Sequence, residues 1–495
     1  MSARTNNFFG VDDLRGRIDE VLRRDGSGAV WGYLVHSTGL NRDVAWNANA
    51  DVALIPASNV KLITCAAALL VSHVGPKYRF ETSAHLSSLV DSDDGVGGTC
   101  KQRSLYVTPT GDPTLTSREL RRIVRRASAA AEERNVHVRV ELVGKPWVDE
   151  GPHPTWEAGD LGERWAAPPS RTVLDGNVFS TSSSNGDDGE YFHHSPPRSP
   201  RSRFIALATA FANDTNFYID DDEDDEDGED EKARGVEVEE SLTSASDGGV
   251  GETRALRVVV ARRMSRSVAS LVRTTLEKSD NLYAEQLLRT MSGGRDSGRW
   301  LTSWSTVFFN KHCLHPCSQS SSFSSSVPRR IRLVDGSGLS RHNLAPPRAF
   351  VVLLLAVLVG ARREEEEKEE EQSRRQEQKD NNEERKSSSR QPCVLFLDSL
   401  PVAGRTGTLS DRFVGTQAEG TVRAKTGAMT GVAALSGVFQ PPAVPLSSSA
   451  QQQQQHSTTG TGAMVFSIIV NNAVADGQYL RAVIDEIVTL ITLAR

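Results

Sequence analysis

The stretch Leu54-Ile55-Pro56-Ala57-Ser58-Asn59-Val60-Lys61-Leu62-Ile63-Thr64-Cys65-Ala66-Ala67-Ala68-Leu69-Leu70 decides how this chain is read. Proline is tolerated at a helix start, so Pro56 opens a helix that runs through Leu70. Residues three apart share a helix face, which puts Ser58 and Lys61 side by side. A serine hydroxyl is a poor nucleophile until a base takes its proton. Lys61 can be that base if its pKa falls from an ordinary value of about 10.4. The helix start also favours negative charge developing at Ser58. Taken alone, each residue has a plainer reading: Ser58 caps a helix and Lys61 faces water.

Two further motifs, in order along the chain, change that balance. Ser279-Asp280-Asn281 interrupts a helical region from Arg266 to Thr290. Lys425-Thr426-Gly427 ends a strand, Thr421 to Lys425, and two more strands follow, Val432 to Phe439 and Met464 to Val470. In this set Ser279 relays a proton towards a leaving group, and Asn281 holds Lys61 and a substrate amide. Burial and a second cation, Lys425, lower the Lys61 pKa. Lys425 and Thr426 suit a carboxylate on the substrate. Gly427 lets substrate lie close to the strand edge. The backbone N–H groups of Ser58 and Ala428 form an oxyanion hole. Asp335-Gly336-Ser337-Gly338 reads as a tight turn, and Ser337 has no base spaced for it.

Further outward, Val11 to Arg24 reads as an amphipathic helix, and Ala29 to His36 and Val44 to Asn47 as strands. Phe350 to Gly360 is a buried helix, too short for a membrane span of roughly twenty residues. Tyr479 to Leu493 is the last amphipathic helix. The expected fold class is α/β in the α+β sense: an antiparallel sheet between helices.

Composition bounds the rest. With 495 residues, 38% hydrophobic and 6% aromatic, the chain can form a sizeable core but not from all of its length. Its net charge of -7 comes from one run, Asp220 to Glu231, with eleven acidic residues in twelve positions; the remainder sums to +4. No global basic excess points to nucleic acid. Five cysteines exclude a disulfide scaffold. His312, Cys313, His315 and Cys317 have no second ligand cluster, so they are not read as a zinc site. Five tracts read as loop expansions: Thr181 to Arg203, Asp220 to Lys232, Ser318 to Ser326, Arg362 to Gln391, and Ser447 to His456. Met1 to Leu14 lacks the apolar core of a signal peptide.

The three motifs occur together in class A β-lactamases and penicillin-binding proteins. The chain resembles the penicillin-binding D-alanyl-D-alanine carboxypeptidases/endopeptidases with a large insert between the first and second motifs. The resemblance rests on eight blocks in order. They are Leu54 to Leu62, Gly111-Asp112-Pro113-Thr114-Leu115, Trp156 to Leu161, Ser279 to Arg289, Val334 to Ser340, Leu400 to Gly404, Gly407-Thr408-Leu409, and Ala424 to Gly427. Ser58 and Ser279 are 221 residues apart, more than a class A β-lactamase allows.

The resemblance implies a penicillin-recognition, β-lactamase-like catalytic domain from residues 1–85 and 255–495, with a β-rich insert over 86–254. It implies a serine-type D-Ala-D-Ala carboxypeptidase that acts on peptidoglycan-type peptides through an acyl-enzyme on Ser58 and binds β-lactams. Catalytic roles fall to Ser58, Lys61, Ser279, Asn281 and Lys425, and substrate binding to Thr426, Gly427 and Ala428. Neither cofactor nor metal is called for. The setting it implies is extracytoplasmic or plastid, and oligomeric state is not legible. Two rivals are a β-lactamase or esterase on the same fold, and a non-catalytic wall-peptide binder. Two departures stand out. After Asn177 the insert gives way to Ser/Pro and acidic tracts, which implies a truncated subdomain. Ala428 replaces a hydroxyl residue, keeping the backbone donor but not a side-chain contact.

Overall fold

The computed structural model describes residues 8–38, 44–87, 90–93, 99–129, 137–178, 200–213, 258–313, 330–377, 391–440 and 462–494. The central sheet is built around strand β10, Met464–Asn471, which is buried at every position. On one side β10 pairs antiparallel with β1, Val30–Ser37, which pairs in turn with β2, Val44–Ala48. On the other it pairs with β9, Val432–Phe439, and β9 with β8, Val422–Met429. The order β2-β1-β10-β9-β8 leaves β8 at an edge. The register across the last pair sets Lys425 opposite Ser436 and Gly427 opposite Ala434.

Side chains alternate across a strand, so the near-continuous apolar runs supply two cores. Val465 and Ile469 of β10 face one core, with Ala434 and Val438 of β9. Phe466, Ile468 and Val470 face the other, with Leu435 and Phe439. The second face is covered by α1, Leu14–Arg24, through Leu14, Ile18 and Val21, and by α10, Gly477–Leu493, through Leu480, Ile484, Ile487 and Ile491. The first face carries α2, Val60–Leu70, which is buried at every position but its last. Around α2 lie α5, Val268–Glu277, α6, Asn281–Ser292, and the start of α8, Pro347–Glu377. A helix that is apolar all round belongs in the middle of a core; Lys61 is the charged exception in α2.

A second sheet lies between α2 and α5 in sequence. It contains β3, Glu81–Leu86, β4, Val90–Asp93, β5, Thr99–Thr108, β6, His137–Leu142, and β7, Val258–Met264. The strands β3 and β7 pair antiparallel, so the chain leaves and re-enters the catalytic body side by side. Two helices, α3, Ser117–Ala129, and α4, Pro200–Asn213, close a separate apolar core over this sheet. Buried Arg263 of β7 ties it down, pairing with Asp112 and, at 2.7 Å, with Glu119. No helix among the described residues is long and apolar enough to cross a membrane.

Three expectations change. The strand carrying Lys425 does not end there but continues to Met429, because Gly427, Ala428 and Met429 keep their pairing with β9. The tract Arg362 to Gln391 is not all loop: α8 runs on to Glu377. Glu, Lys, Arg and Gln are good helix formers, and the buried turns before them provide the costly nucleus. The tract Thr181 to Arg203 is likewise not all loop, because Pro200 to Arg203 open α4; residues 181–199, 220–232, 318–326, 378–390 and 447–456 lie outside the described residues.

The charged part of α8 also makes a contact. The Glu364 carboxylate accepts backbone N–H bonds from Cys393 (3.1 Å) and Val394 (3.1 Å), at the start of α9, Pro392–Asp398. Glu364→Ala is expected to destabilise the protein by about 1 kcal/mol, as loss of a helix cap does. Exposed Glu367→Ala is the control. Urea midpoints measure both, and an equal shift in the two variants would deny Glu364 this capping role.

Candidate active site

Ser58 sits in a 3-10 turn, Ala57–Asn59, that leads directly into α2. Ala57 is left-handed, with φ +46, and two glycines on other elements make room for it. A Cβ at Gly338 would lie 2.0 Å from the Ala57 carbonyl oxygen. A Cβ at Gly427 would lie 2.8 Å from the Pro56 oxygen and 3.2 Å from the Ser58 nitrogen. Gly427, expected from sequence to make room for substrate, therefore makes room for the turn that carries Ser58. The same close approach brings the backbone of β8 beside the Ser58 N–H.

Lys61 is fully buried, and its Nζ has three oxygen neighbours. Ser58 Oγ is at 2.9 Å, Asn281 Oδ1 at 2.5 Å and the Ser337 carbonyl at 2.6 Å. Its pKa is lowered to about 8 by burial, against the opposing pull of Asp335, Asp280 and Glu285. Burial and the second cation, Lys425, were expected to supply that depression. Burial does supply it, while the repulsion between the two lysines appears at Lys425, held well below its ordinary value by burial and then by Lys61.

Lys425 Nζ donates to Ser279 Oγ at 2.9 Å and to the Thr426 carbonyl at 2.8 Å. It is fully enclosed. Thr426 is half-buried and its hydroxyl donates to Thr408 Oγ1 at 2.9 Å. Ser279 breaks α5 from α6 with φ +59, and Asp280 caps α6 by accepting from the Tyr283 N–H at 2.9 Å. That cap starts α6 at Asn281, whose Nδ2 donates to the Trp165 carbonyl at 2.8 Å. All three motifs thus meet, with Ala428 exposed at the edge of β8.

Several groups were missed. The 335–338 turn does more than turn: its Ser337 carbonyl faces Lys61, and Thr64 Oγ1 donates to its Gly336 carbonyl at 2.8 Å. Buried Asp335 accepts from the N–H groups of Gly338 (2.8 Å) and Ser340 (2.7 Å), from Asn343 Nδ2 (2.8 Å) and from Trp156 Nε1 (2.9 Å). Burial pushes its carboxyl up, and nearby Glu285 adds to the rise. Glu285 lies one helical turn after Asn281 in the Ser279 to Arg289 block, a spacing that puts it on the site's side of the helix without showing what it binds. Cys65, a turn beyond Lys61, is no rival nucleophile: burial pushes its thiol up to about 12. His312 and Cys313 end α7, Ser297–Cys313, while His315 and Cys317 lie outside the described residues. Among the described residues no cluster suited to a metal is present.

A serine and a buried lysine at hydrogen-bond distance, above a five-stranded antiparallel sheet between helices, form the frame of a serine hydrolase. The profile of the D-Ala-D-Ala carboxypeptidase 3 (S13) family matches residues 14–217, 229–366 and 386–493, and the chain belongs to that family. By family it is a hydrolase of the serine-type D-Ala-D-Ala carboxypeptidase class. A D-alanyl-D-alanine carboxypeptidase of Actinomadura sp. (strain R39) is 27% identical over 477 residues, covering 87% of this chain and 79% of that protein. Penicillin-sensitive carboxypeptidase A of Dictyostelium discoideum is 30% identical over 229 residues; that match covers 46% of this chain and 35% of the Dictyostelium protein. Penicillin binding protein 4 of Haemophilus influenzae shares the fold, with TM-score 0.59 at 17% identity, covering 96% of this chain and 98% of that one.

The glycine requirement can be tested. Gly427→Ala should cost about 1–3 kcal/mol, the range for overpacking a filled site, because the nearest obstacle is backbone. Exposed Ala428→Ser, one residue on, should cost less than half as much. Denaturant unfolding of both variants measures this, and equal stability would mean that the turn yields freely.

Proposed function

We propose that the chain cleaves D-Ala-D-Ala-type peptides of peptidoglycan through an acyl-enzyme on Ser58, and that β-lactams acylate the same oxygen. The observation that carries this reading is the set of oxygens around Lys61 Nζ. A neutral amine has two N–H groups and one lone pair. Asn281 Oδ1 and the Ser337 carbonyl can only accept, so they take the two N–H groups. The lone pair is left for the Ser58 O–H.

In that state Ser58 gives its proton to Lys61 as Oγ bonds to the peptide carbonyl carbon. The oxyanion is met by the backbone N–H groups of Ser58 and Ala428. The C–N bond then breaks as the proton that Lys61 took from Ser58 passes through the Ser279 hydroxyl, which Lys425 backs, to the leaving D-alanine nitrogen, and Lys61 is neutral again. Lys61 then takes a proton from water as the water oxygen bonds to the ester carbonyl carbon, and returns it to Ser58 Oγ as the ester C–O bond breaks. The substrate carboxylate meets the hydroxyls of Thr426 and Thr408, with the enclosed Lys425 behind them acting through Ser279 rather than by contact. The pairing of β3 with β7 supports a division into a catalytic domain of 1–85 and 255–495 and an insert of 86–254. Haemophilus influenzae penicillin binding protein 4 has been solved with a β-lactam, and the Dictyostelium relative is named for penicillin sensitivity; both support the β-lactam reading.

Mass spectrometry after penicillin treatment should find one adduct, on Ser58, and none in Ser58→Ala. The rate of acylation should rise with pH through about 8, because the form of Lys61 that can take a proton appears above its lowered pKa. Lys61→Arg keeps a charge that does not titrate in this range and should lose about 10²–10⁴-fold in that rate, the scale of general-base catalysis. An adduct on another serine, or a flat profile, would remove Ser58 and Lys61 from these roles.

A carboxypeptidase must also recognise a free C-terminus. Amidation of the substrate's terminal carboxylate should lower kcat/KM by at least about tenfold, the worth of one charge-assisted hydrogen bond of 1.5–3 kcal/mol. Thr426→Val should show a smaller penalty for amidation than the native chain. Indifference of the native chain to amidation would favour an endopeptidase or esterase instead.

A further inference from the structure

We infer that Glu285 is a positioning residue for acylation: its carboxylate holds the 335–338 loop so that the Ser337 carbonyl aims at Lys61. The inference rests on the reading of Ser58 and Lys61 as nucleophile and base. Glu285 lies one turn beyond Asn281 on α6, so one helix face carries both. It is 1% exposed. Its Oε1 accepts from the N–H groups of Gly336 (2.9 Å) and Ser337 (2.7 Å), and its Oε2 from Arg289 Nη1 (2.6 Å). The Ser337 carbonyl that follows these donors is 2.6 Å from Lys61 Nζ. The loop is therefore pinned at its N–H groups by α6 and at the Gly336 carbonyl by Thr64 of α2.

This arrangement makes α6 the source of both acceptors that orient Lys61. Asn281 supplies one directly, and Glu285 supplies the other by way of the loop. Were Ser337 free to turn away, neutral Lys61 would have one fixed acceptor, and its lone pair would no longer point at Ser58. The charged groups around Glu285 are Arg289 on its own helix, Asp335 on the loop, Lys61 on α2, and Asp149, whose carboxylate is 3.9 Å from Arg289. A simple loss of Glu285 would strand the Arg289 charge in the interior, at a cost unrelated to positioning. The pair must be neutralised together.

The test compares Glu285→Gln/Arg289→Met with Glu285→Leu/Arg289→Met. Both lack the ion pair, but only the glutamine keeps an acceptor for the two N–H groups. Penicillin acylation is resolved into a binding constant and a rate constant, with the end-point of labelling and the pH profile recorded. The glutamine form should keep the native rate constant within about threefold, whereas the leucine form should lose about a hundredfold, the scale of general-base catalysis. End-point labelling and the binding constant should match the native values in both. In the glutamine form the pH limb should move down, since the ammonium of Lys61 has lost an anionic neighbour.

Glu285→Asp adds an independent arm that retains the charge and draws the acceptor back by about one bond. Its rate constant should fall at least tenfold, as a misplacement of about 1 Å can cost up to about a hundredfold, while its pH limb stays near the native one. If the leucine form does not fold, this arm decides. Equal rate constants in the two double variants, a native rate in Glu285→Asp, or a loss seen only as incomplete end-point labelling would overturn the proposal. Failure of the native chain to label at Ser58 would instead overturn the underlying reading, and this inference with it.

Discussion

Burying an ammonium in an apolar helix costs several kcal/mol unless fixed oxygens replace the lost water, and Lys61 is such a group, fully enclosed in α2. Three oxygens from three parts of the chain answer that cost: Ser58 from the preceding turn, Asn281 from the start of α6, and Ser337 from the loop before α8. The same three contacts fix which way the nitrogen points once it is neutral. The interaction that makes the core tolerable is thus the one that prepares the site. Its partners are spread over some 280 residues of sequence, so the site exists only when the whole catalytic body has closed around α2.

That closure is tight because β8, the 335–338 loop and the Ala57–Asn59 turn converge on one small volume. Two glycines, Gly338 and Gly427, stand where a Cβ would meet the backbone of the Ala57–Asn59 turn or of Pro56 before it. The edge position of β8 is then what keeps the site open to solvent: its inner neighbour β9 is buried at every position, but Ala428 on β8 is exposed. A central strand could not offer an unpaired backbone edge to an extended peptide.

Much of this was legible in the sequence because it is written in side chains at helical and strand spacing. The Ser58–Lys61 pair, the break at Ser279, and the apolar runs of β1, β9 and β10 all follow from period and residue type. What could not be read acts through backbone atoms or through contacts without a local pattern. The Ser337 carbonyl has no side-chain signature, since any residue carries one. Glu285 looks like an ordinary helical glutamate until the loop that uses it is folded against it. The length of α8 has no local pattern either: the charged tract carries no apolar face, and it is helical because the buried turns before it form the nucleus that it extends. Gly427 reads from the sequence as leaving space for substrate; the backbone atom 2.8 Å from a Cβ there belongs to Pro56, more than 370 residues earlier.

The second sheet and the segment that follows β6 bear on the same chemistry, through Asn281. Its amide has two distinct ends, and each has a partner that admits only one of them. Lys61 Nζ lies 2.5 Å from Oδ1, and the Trp165 carbonyl accepts from Nδ2 at 2.8 Å. A flipped amide would set NH2 against an amine and oxygen against oxygen, two repulsions in place of two bonds. Lys61 and the Trp165 carbonyl thus together select the orientation in which Asn281 can accept from Lys61. Gln286, five residues along α6, secures the same segment by donating to the Ser170 carbonyl at 2.8 Å, and ties it to the loop after β5 by donating to the Gly111 carbonyl at 2.8 Å. The segment that folds back from the second sheet is on this account a working part of the site.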